Sequence, residues 1–325
     1  MRDKGPEIEI IRLLKAGPGF TSGQRLSCAL GVSRTAIWKH MEALRKSGYR
    51  IEASPSKGYR LRGTGPFNGV EVSATLKTEF MGSEIHFFEE TGSTNVKAFE
   101  LARAGAPEGT VVMAESQSTG KGRIGRRWES PAGVNIYLSV ILRPPVAPQN
   151  APGLTFLAAV ATAEAIAAFC PMRPIVKWPN DVLIEGGKAA GILLEMDAEP
   201  DRVHFVIVGI GINVNATREM FPEYIRNTAT SLREKAGREI DRTALAASLL
   251  TGMETWYKVY LSRGFSPVLD EWKAYFGFKG SVVKVTSFDN IIKGRCLGVD
   301  DAGALILEKD SGEVVKVLSG DVEAV

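Results

Sequence analysis

Cysteine is scarce in this 325-residue chain. The three that occur, Cys28, Cys170 and Cys296, lie far apart. Such spacing offers no zinc site and no disulfide framework, and it fits a reducing cytoplasmic setting. Histidine is equally sparse: His40, His86 and His204. None of them opens a His-Arg-Asp motif, so a protein-kinase catalytic loop is excluded. The Walker A pattern is missing too. The N-terminus lacks the apolar centre of a signal peptide. The longest apolar stretch, Leu154 to Cys170, is alanine-rich and interrupted by Glu164. It reads as too short and too polar for a bilayer span, so no membrane association is expected.

What is present is apolar content of 44 %, enough to core two or three domains at this length. The net charge of +3 is unevenly spread. Residues 1–63 carry 13 Lys and Arg against 5 Asp and Glu; the remainder carries 27 against 32. A basic head on a mildly acidic body points to a polyanion met by the head alone.

That head reads as helices. Leu26, Ala29 and Leu30 mark a short amphipathic helix closed by Gly31, and Ser33 can cap the next, whose buried positions are Ile37, Met41 and Leu44. Two helices about a glycine turn form a helix-turn-helix. Arg34, Thr35, Trp38 and Lys39 fall on the outer early turns of the second helix, where base edges are read. "YRIEASPSKGYRL" then alternates as a hairpin wing, with Lys57 and Arg60 toward phosphate. "RGTGPFNG", residues 62–69, reads as a linker.

Beyond it, strands are expected at Ile85–Glu89, Thr110–Glu115, Asn135–Leu142, Val182–Glu185, Gly191–Met196 and Val203–Ile210. Helices are expected at Glu71–Phe80, Asn95–Ala104, Leu154–Phe169, Thr243–Leu261 and Pro267–Ala274. Hairpin-like pairs dominate, so the expected class is α+β: a winged helix-turn-helix over 1–64, a mixed sheet with helices on one face over 65–275, and a small SH3-like β-barrel over 276–325.

"GKGRIG", residues 120–125, has the spacing G-x-G-x-x-G. A dinucleotide loop needs a following helix and an acid about 20 residues on. Here Pro131 and Gly133 interrupt, "NIYLSVIL" alternates as a strand, and no Asp or Glu occurs between Glu129 and Glu164. The Rossmann reading fails. Four cations, Lys121, Arg123, Arg126 and Arg127, instead crowd seven residues, a cluster expected to be mobile when empty and to order around phosphate or carboxylate. Three other stretches carry polar groups at turns: "ETGSTN" (90–95), where Ser93 or Thr94 can cap a helix, "VKWPNDVLIEGGKAAGILLE" (176–195) and "GIGINV" (209–214).

In this order, "GSTN", "QSTGKGRIGRRW", "KWPNDV" with "GGKAAGIL", and "GIGINV" resemble the biotin–protein ligases. With the helix-turn-helix and terminal barrel, the resemblance is to the bifunctional bacterial form that also represses biotin synthesis genes. It implies that ATP converts biotin to biotinyl-5′-AMP and pyrophosphate. Biotin then passes to a lysine of a biotin carboxyl carrier protein, such as that of acetyl-CoA carboxylase. The cofactors implied are ATP, biotin and Mg²⁺ held through phosphates, with no protein metal site.

Carried onto this sequence, the resemblance places Ser93, Thr94, Asn95 and Gln117 around the ureido ring. Lys121, Gly122 and Arg123 close over biotin and phosphate, and Lys188 meets carboxylate and α-phosphate. Arg126, Trp128, Lys177 and Asn213 lie toward the nucleotide. Arg123, Lys188 and Asp181 are the implied catalytic group, Asp181 as a metal or proton acceptor. One departure stands out: Lys121 occupies the place of a family arginine and lacks the planar fork. The implied partners are operator DNA and a second protomer paired on ligand binding. The rival readings are a regulator without ligase activity, a ligase whose DNA-binding module is silent, and a lipoate-attaching relative.

Overall fold

A computed structural model of the chain describes residues 5–287 and 290–325. The charged residues Arg2, Asp3 and Lys4 of the basic head lie outside them. Helices α1 (Pro6–Lys15), α2 (Gly23–Leu30) and α3 (Arg34–Lys46) precede a hairpin of β1 (Ile51–Ser54) and β2 (Gly58–Leu61). Ile10, Leu14, Leu26, Ile37, Met41 and Leu44 close their common core. The helix-turn-helix follows from three residues. Ser22 and Ser33 accept from the third amide of their helices, and Gly31 turns between them at φ 67°, a conformation glycine adopts without steric cost.

The linker is shorter than expected. Asn68 caps α4 (Gly69–Thr75), its side-chain oxygen 2.9 Å from the Glu71 amide. Helix α4 stops at Thr75 rather than reaching Phe80, because the backbone beyond it turns to meet Glu254. That buried carboxylate accepts from the amides of Glu79, Phe80 and Met81 at 2.9–3.1 Å and pairs with Lys258 at 3.1 Å. Burial pushes its pKa up, but the three amides and Lys258 outweigh burial and hold it below the usual carboxylate range. Its stabilisation is therefore present above the unfolded value near 4.3 and is lost as pH falls through the lower folded value. Glu254→Ala leaves one buried and two partly buried amide donors unpaired and should destabilise the protein by about 3 kcal/mol at pH 7, with a smaller difference at pH 3, measured by urea unfolding.

The central sheet contains β3 (Ile85–Thr91), β4 (Val111–Gln117), β5 (Ile136–Leu142), β6 (Ile175–Lys177), β7 (Asp181–Ile184), β8 (Gly187–Ala198) and β9 (Val203–Ile212). Its order is β3-β4-β5-β9-β8-β7-β6; β3 and β4 are parallel and the other pairs antiparallel. Strand β6 was not anticipated; three residues are too few to show a period. The helices after β3 are α5 (Thr94–Arg103), α6 (Gly153–Phe169), α7 (Leu232–Ala236, likewise unanticipated), α8 (Arg242–Arg263) and α9 (Ser266–Tyr275).

The sheet's two faces divide by strict alternation. Ile136, Leu138, Val140, Val206, Val208 and Ile210 point into the large core with α6 and α8. The intervening residues face the other way. At one end of that second face, Val112, Ile141, Phe205 and Ile207 receive Ala98 and Ala102 of α5, so one helix sits opposite the expected helical layer. At the other end the alternating positions are Tyr137, Ser139, Gly191, Leu193, Gly209 and Gly211; of α5 the first turn reaches them, with Thr94 and Asn95 against Ser139 and Gly209. With its preceding turn, α6 spans Pro148–Phe169, 22 residues that include an 18-residue window of mean hydropathy 1.5; by length and composition alone this would suffice to cross a membrane, although the sequence reads as too short and too polar for it. Its apolarity is accounted for within the fold, where 67 % of that window is buried.

Strands β10 (Val282–Ser287), β11 (Asn290–Val299), β12 (Leu305–Glu308), β13 (Val314–Val317) and β14 (Asp321–Ala324) form the terminal unit. The small barrel takes the form of an antiparallel sheet ordered β13-β12-β11-β10-β14, in which β13 and β14 are not paired among the described residues. Trp178 ties this unit to the central domain by donating its indole N–H to the Gly303 carbonyl at 2.9 Å.

Candidate active site

The open end of the second face is the floor of a cavity of about 610 Å³. Ser93, Thr94, Asn95, Gln117, Lys121, Gly122, Arg123, Arg126, Trp128, Lys177, Asp181, Lys188 and Asn213 all line it, although they come from four separate stretches. The glycines explain how the floor can be approached. A Cβ on Gly209 would overlap the Asn95 amide, and one on Gly211 would overlap the Trp128 indole.

At one end, Ser93 occupies the N-cap position of α5 but makes no capping bond, so its hydroxyl is left to the cavity. Gln117 Oε1 accepts from the Thr94 amide at 2.8 Å and lies 3.1 Å from Thr94 Oγ1, while its Nε2 donates to Ser130 at 2.9 Å. This is a neutral wall rich in donors and acceptors.

At the other end the charges gather. Lys188 Nζ stands 2.7 Å from Asp181 Oδ1, and Lys177 Nζ is 3.6 Å from Oδ2. One carboxylate thus holds two cations. Lys188 also lies 5.5 Å from the Trp128 ring centre. The indole rests on the Gly191–Gly211 strand pair with its buried N–H unpartnered among the described residues. Asn213 donates to the Lys188 carbonyl at 3.2 Å.

The G-x-G-x-x-G loop is a tight hairpin closing this space. Trp128 N–H bonds Gly120 O at 2.9 Å, Gly122 N–H bonds Arg126 O at 2.7 Å, and Arg126 N–H bonds Arg123 O at 3.1 Å. Its two tip residues, Ile124 (φ 54°) and Gly125 (φ 70°), are left-handed, as a two-residue hairpin of this twist requires. The spacing therefore serves a hairpin that carries cations on both arms. Its repulsion is balanced from outside. Arg126 pairs with Asp321 of β14, and Arg123 donates to Asn180 Oδ1 at 3.0 Å and to Gly320 O at 3.4 Å. Burial lowers the Arg123 pKa, opposed by Asp321 and Asp181. Asn180, Asp321, Ser139 and Glu195 were missed by the sequence reading. Asn180 lies within the quoted "KWPNDV" and Glu195 closes the quoted stretch 176–195; Ser139 and Asp321 carry no local signal.

In the basic head, Arg34, Thr35, Lys39 and Lys57 are exposed, and Trp38 is 54 % exposed. Arg60 is differently placed. It pairs with Glu52 at 2.8 Å and stacks on Phe20 at 4.5 Å, so it braces the wing.

Comparison with known proteins places these features together. Residues 87–213 match the model of the biotin/lipoate A/B protein ligase family, residues 7–60 an HTH domain and residues 280–324 the biotin protein ligase C terminal domain. Bifunctional ligase/repressor BirA of Bacillus subtilis (strain 168) is 44 % identical over 310 residues, spanning 95 % of each chain. The chain belongs to the bifunctional biotin ligase/repressor family. A second member, from Escherichia coli (strain K12), is 33 % identical over 99 % of this chain and 98 % of its own. The solved biotin protein ligase from Aquifex aeolicus, in complex with biotin and ATP, superposes with a TM-score of 0.65 at 27 % identity. It covers 75 % of this chain and 99 % of that one. Ligase/repressor architecture thus accounts for the basic head, the cavity and the terminal sheet alike.

Proposed function

We propose that this protein joins biotin to ATP in the cavity and then passes it to a carrier lysine. The biotin carboxylate attacks the α-phosphorus, the bond to the β-phosphate breaks, and pyrophosphate leaves. The lysine amine then attacks the acyl carbon, AMP leaves with the bonding pair, and the amine gives up a proton. The observation that carries this reading is the cavity's division into a neutral amide-and-hydroxyl end and a cationic end. The first step brings a carboxylate against a polyphosphate, and cations fixed in a partly dry cleft offset that repulsion.

In this reading Ser93, Thr94, Asn95 and Gln117 meet the ureido ring, and Lys121, Gly122 and Arg123 cover it. Lys188 and Arg123 act at the carboxylate and α-phosphate, and Arg126, Lys177, Trp128 and Asn213 hold the nucleotide. Asp181 holds both lysines and offers a carboxylate for the departing proton. Mg²⁺ carried on the ATP phosphates would add to the charge neutralisation that Lys188, Arg123, Arg126 and Lys177 supply. The carrier is a biotin carboxyl carrier domain of acetyl-CoA carboxylase or a related carboxylase. The domain limits are 1–64, 65–275 and 276–325. Three unpaired cysteines fit a cytoplasmic location.

The same protein represses biotin synthesis genes through Arg34, Thr35, Trp38, Lys39 and Lys57, with Arg60 bracing the wing. Pairing between protomers is supported by β8: strand β7 covers it only to Gly191, so among the described residues Leu193–Ala198 offers a free edge beside the cationic hairpin. Adenylate that orders the hairpin would favour pairing there. With biotin and ATP, size exclusion should show a shift toward dimer, and a gel-shift on DNA upstream of the biotin genes should tighten. Arg34→Ala should weaken that complex about tenfold while leaving adenylation unchanged. A gel-shift indifferent to adenylate would refute the repressor half.

A further inference from the structure

The neutral wall ends in a charge the proposed reaction does not use. Glu195 of β8 lies at the far side of Asn95 from Ser139. Asn95 Nδ2 donates to Glu195 Oε2 at 2.8 Å, and Asn95 Oδ1 accepts from Ser139 Oγ at 2.6 Å. Ser139 Oγ also stands 2.9 Å from Thr94 Oγ1, which lies 3.1 Å from Gln117 Oε1. Five side chains form one chain of hydrogen bonds from Glu195 to Gln117, and Asn95, Thr94 and Gln117 line the cavity.

Such a chain has a direction. A carboxylate only accepts, so it turns the Asn95 NH₂ toward itself and the amide oxygen toward Ser139. The single proton of Ser139 then goes to that oxygen. The one hydroxyl proton left, on Thr94, serves either Ser139 or Gln117 Oε1. In both arrangements Thr94 Oγ1 has committed its proton to the wall and turns only lone pairs to the cavity. Were the Asn95 amide reversed, Ser139 could donate to Thr94 and release the Thr94 proton toward the ligand. Asn95 has little room to find another pose, because its amide is packed on the bare backbone of Gly209.

We propose that Glu195 is a positioning residue that sets the polarity of this chain, so that Thr94 Oγ1 is held as an acceptor for an N–H of a neutral cyclic urea. This deepens the ligase reading and rests on it. Glu195 touches no reacting atom. Its other neighbour, Lys121 Nζ at 3.5 Å, is more distant and exposed. The polarity also disfavours acids of similar length whose ring offers no N–H, since nothing would pair the Thr94 lone pairs.

Glu195→Gln keeps the shape and weakens the fixed direction, because an amide can present either an oxygen or an NH₂ to Asn95 and only the longer 3.4 Å contact to the Leu193 carbonyl still selects the NH₂. Pyrophosphate release by the full chain should show KM for biotin raised about tenfold, with KM for ATP and kcat within twofold of wild type. Thermal unfolding should be near that of wild type. Adding Ser139→Ala to Glu195→Gln should raise KM for biotin much less than the two single effects multiplied, because the same chain is already broken. KM for biotin within twofold of wild type in Glu195→Gln overturns the proposal. So does an equal rise in both KM values, the signature of a general disturbance or of an effect passed through Lys121 and the hairpin, and so do fully multiplicative effects. A wild-type protein that releases no pyrophosphate with biotin would instead defeat the ligase reading itself.

Discussion

Lys188→Met lowers pyrophosphate release with biotin and ATP by about a hundred- to a thousandfold, the range seen when a fixed charge facing a developing anion is removed. The geometry makes this lysine hard to replace. It is held at 2.7 Å by Asp181 and stands beside the Trp128 ring and Gly191 in the cationic end of the cavity. Arg123 is tied to Asn180 and Gly320, and Arg126 to Asp321, so neither can swing across to substitute. Methionine keeps the length of the stem and removes only the charge. The lysine side chain is 35 % exposed, so little stability depends on it and thermal unfolding should stay close to wild type. Transfer from preformed biotinyl-adenylate should fall less than adenylate formation, since the two like charges are already joined. An unchanged rate of pyrophosphate release would remove Lys188 from the mechanism.

The parts of this arrangement that were legible in the sequence are those fixed within a few residues. Ser33 and Gly31 announce the helix-turn-helix because capping and left-handed turns are local. The strands and large helices were legible within a few residues because alternation and 3.6-residue periods are local too. The residues drawn together by resemblance do converge on one cavity. What stayed hidden depends on tertiary contact. Asp321 lies almost 200 positions from the hairpin it steadies, and its surroundings resemble any Gly-Asp turn. Glu195 and Ser139 look like polar punctuation in strands until the register sets Ser139 against Gly209 and Gly209 against Leu193. The sequence pattern overruns the end of α4 because nothing near Leu76 reveals that Glu254 captures the next backbone amides. The G-x-G-x-x-G spacing misleads for a related reason. The same three glycines suit a phosphate loop or a hairpin, and only the bonds across Gly120–Trp128 and Gly122–Arg126 separate the two.

The second large effect is expected from a single methyl group. Gly211→Ala places a Cβ into Trp128 Cε2, Nε1 and Cζ2, and on an extended strand between β5 and β8 the backbone cannot retreat. The indole must leave the Gly191–Gly211 platform, taking with it one face of the cationic end. KM for ATP should rise about thirtyfold or more, as expected when a stacking surface is lost, while KM for biotin changes little. Gly209→Ala, two residues away on the same face, should do the reverse. Its Cβ meets the Asn95 amide rather than the indole, so KM for biotin rises and KM for ATP holds. Neither glycine has a left-handed φ, so both effects are steric and neither substitution strains its own backbone. The pair tests the division of the cavity directly. Adjacent same-face glycines that serve one common surface would give matching profiles when filled. Opposite profiles require that the strand carry biotin at Gly209 and nucleotide at Gly211, with the bond between them made over Lys188.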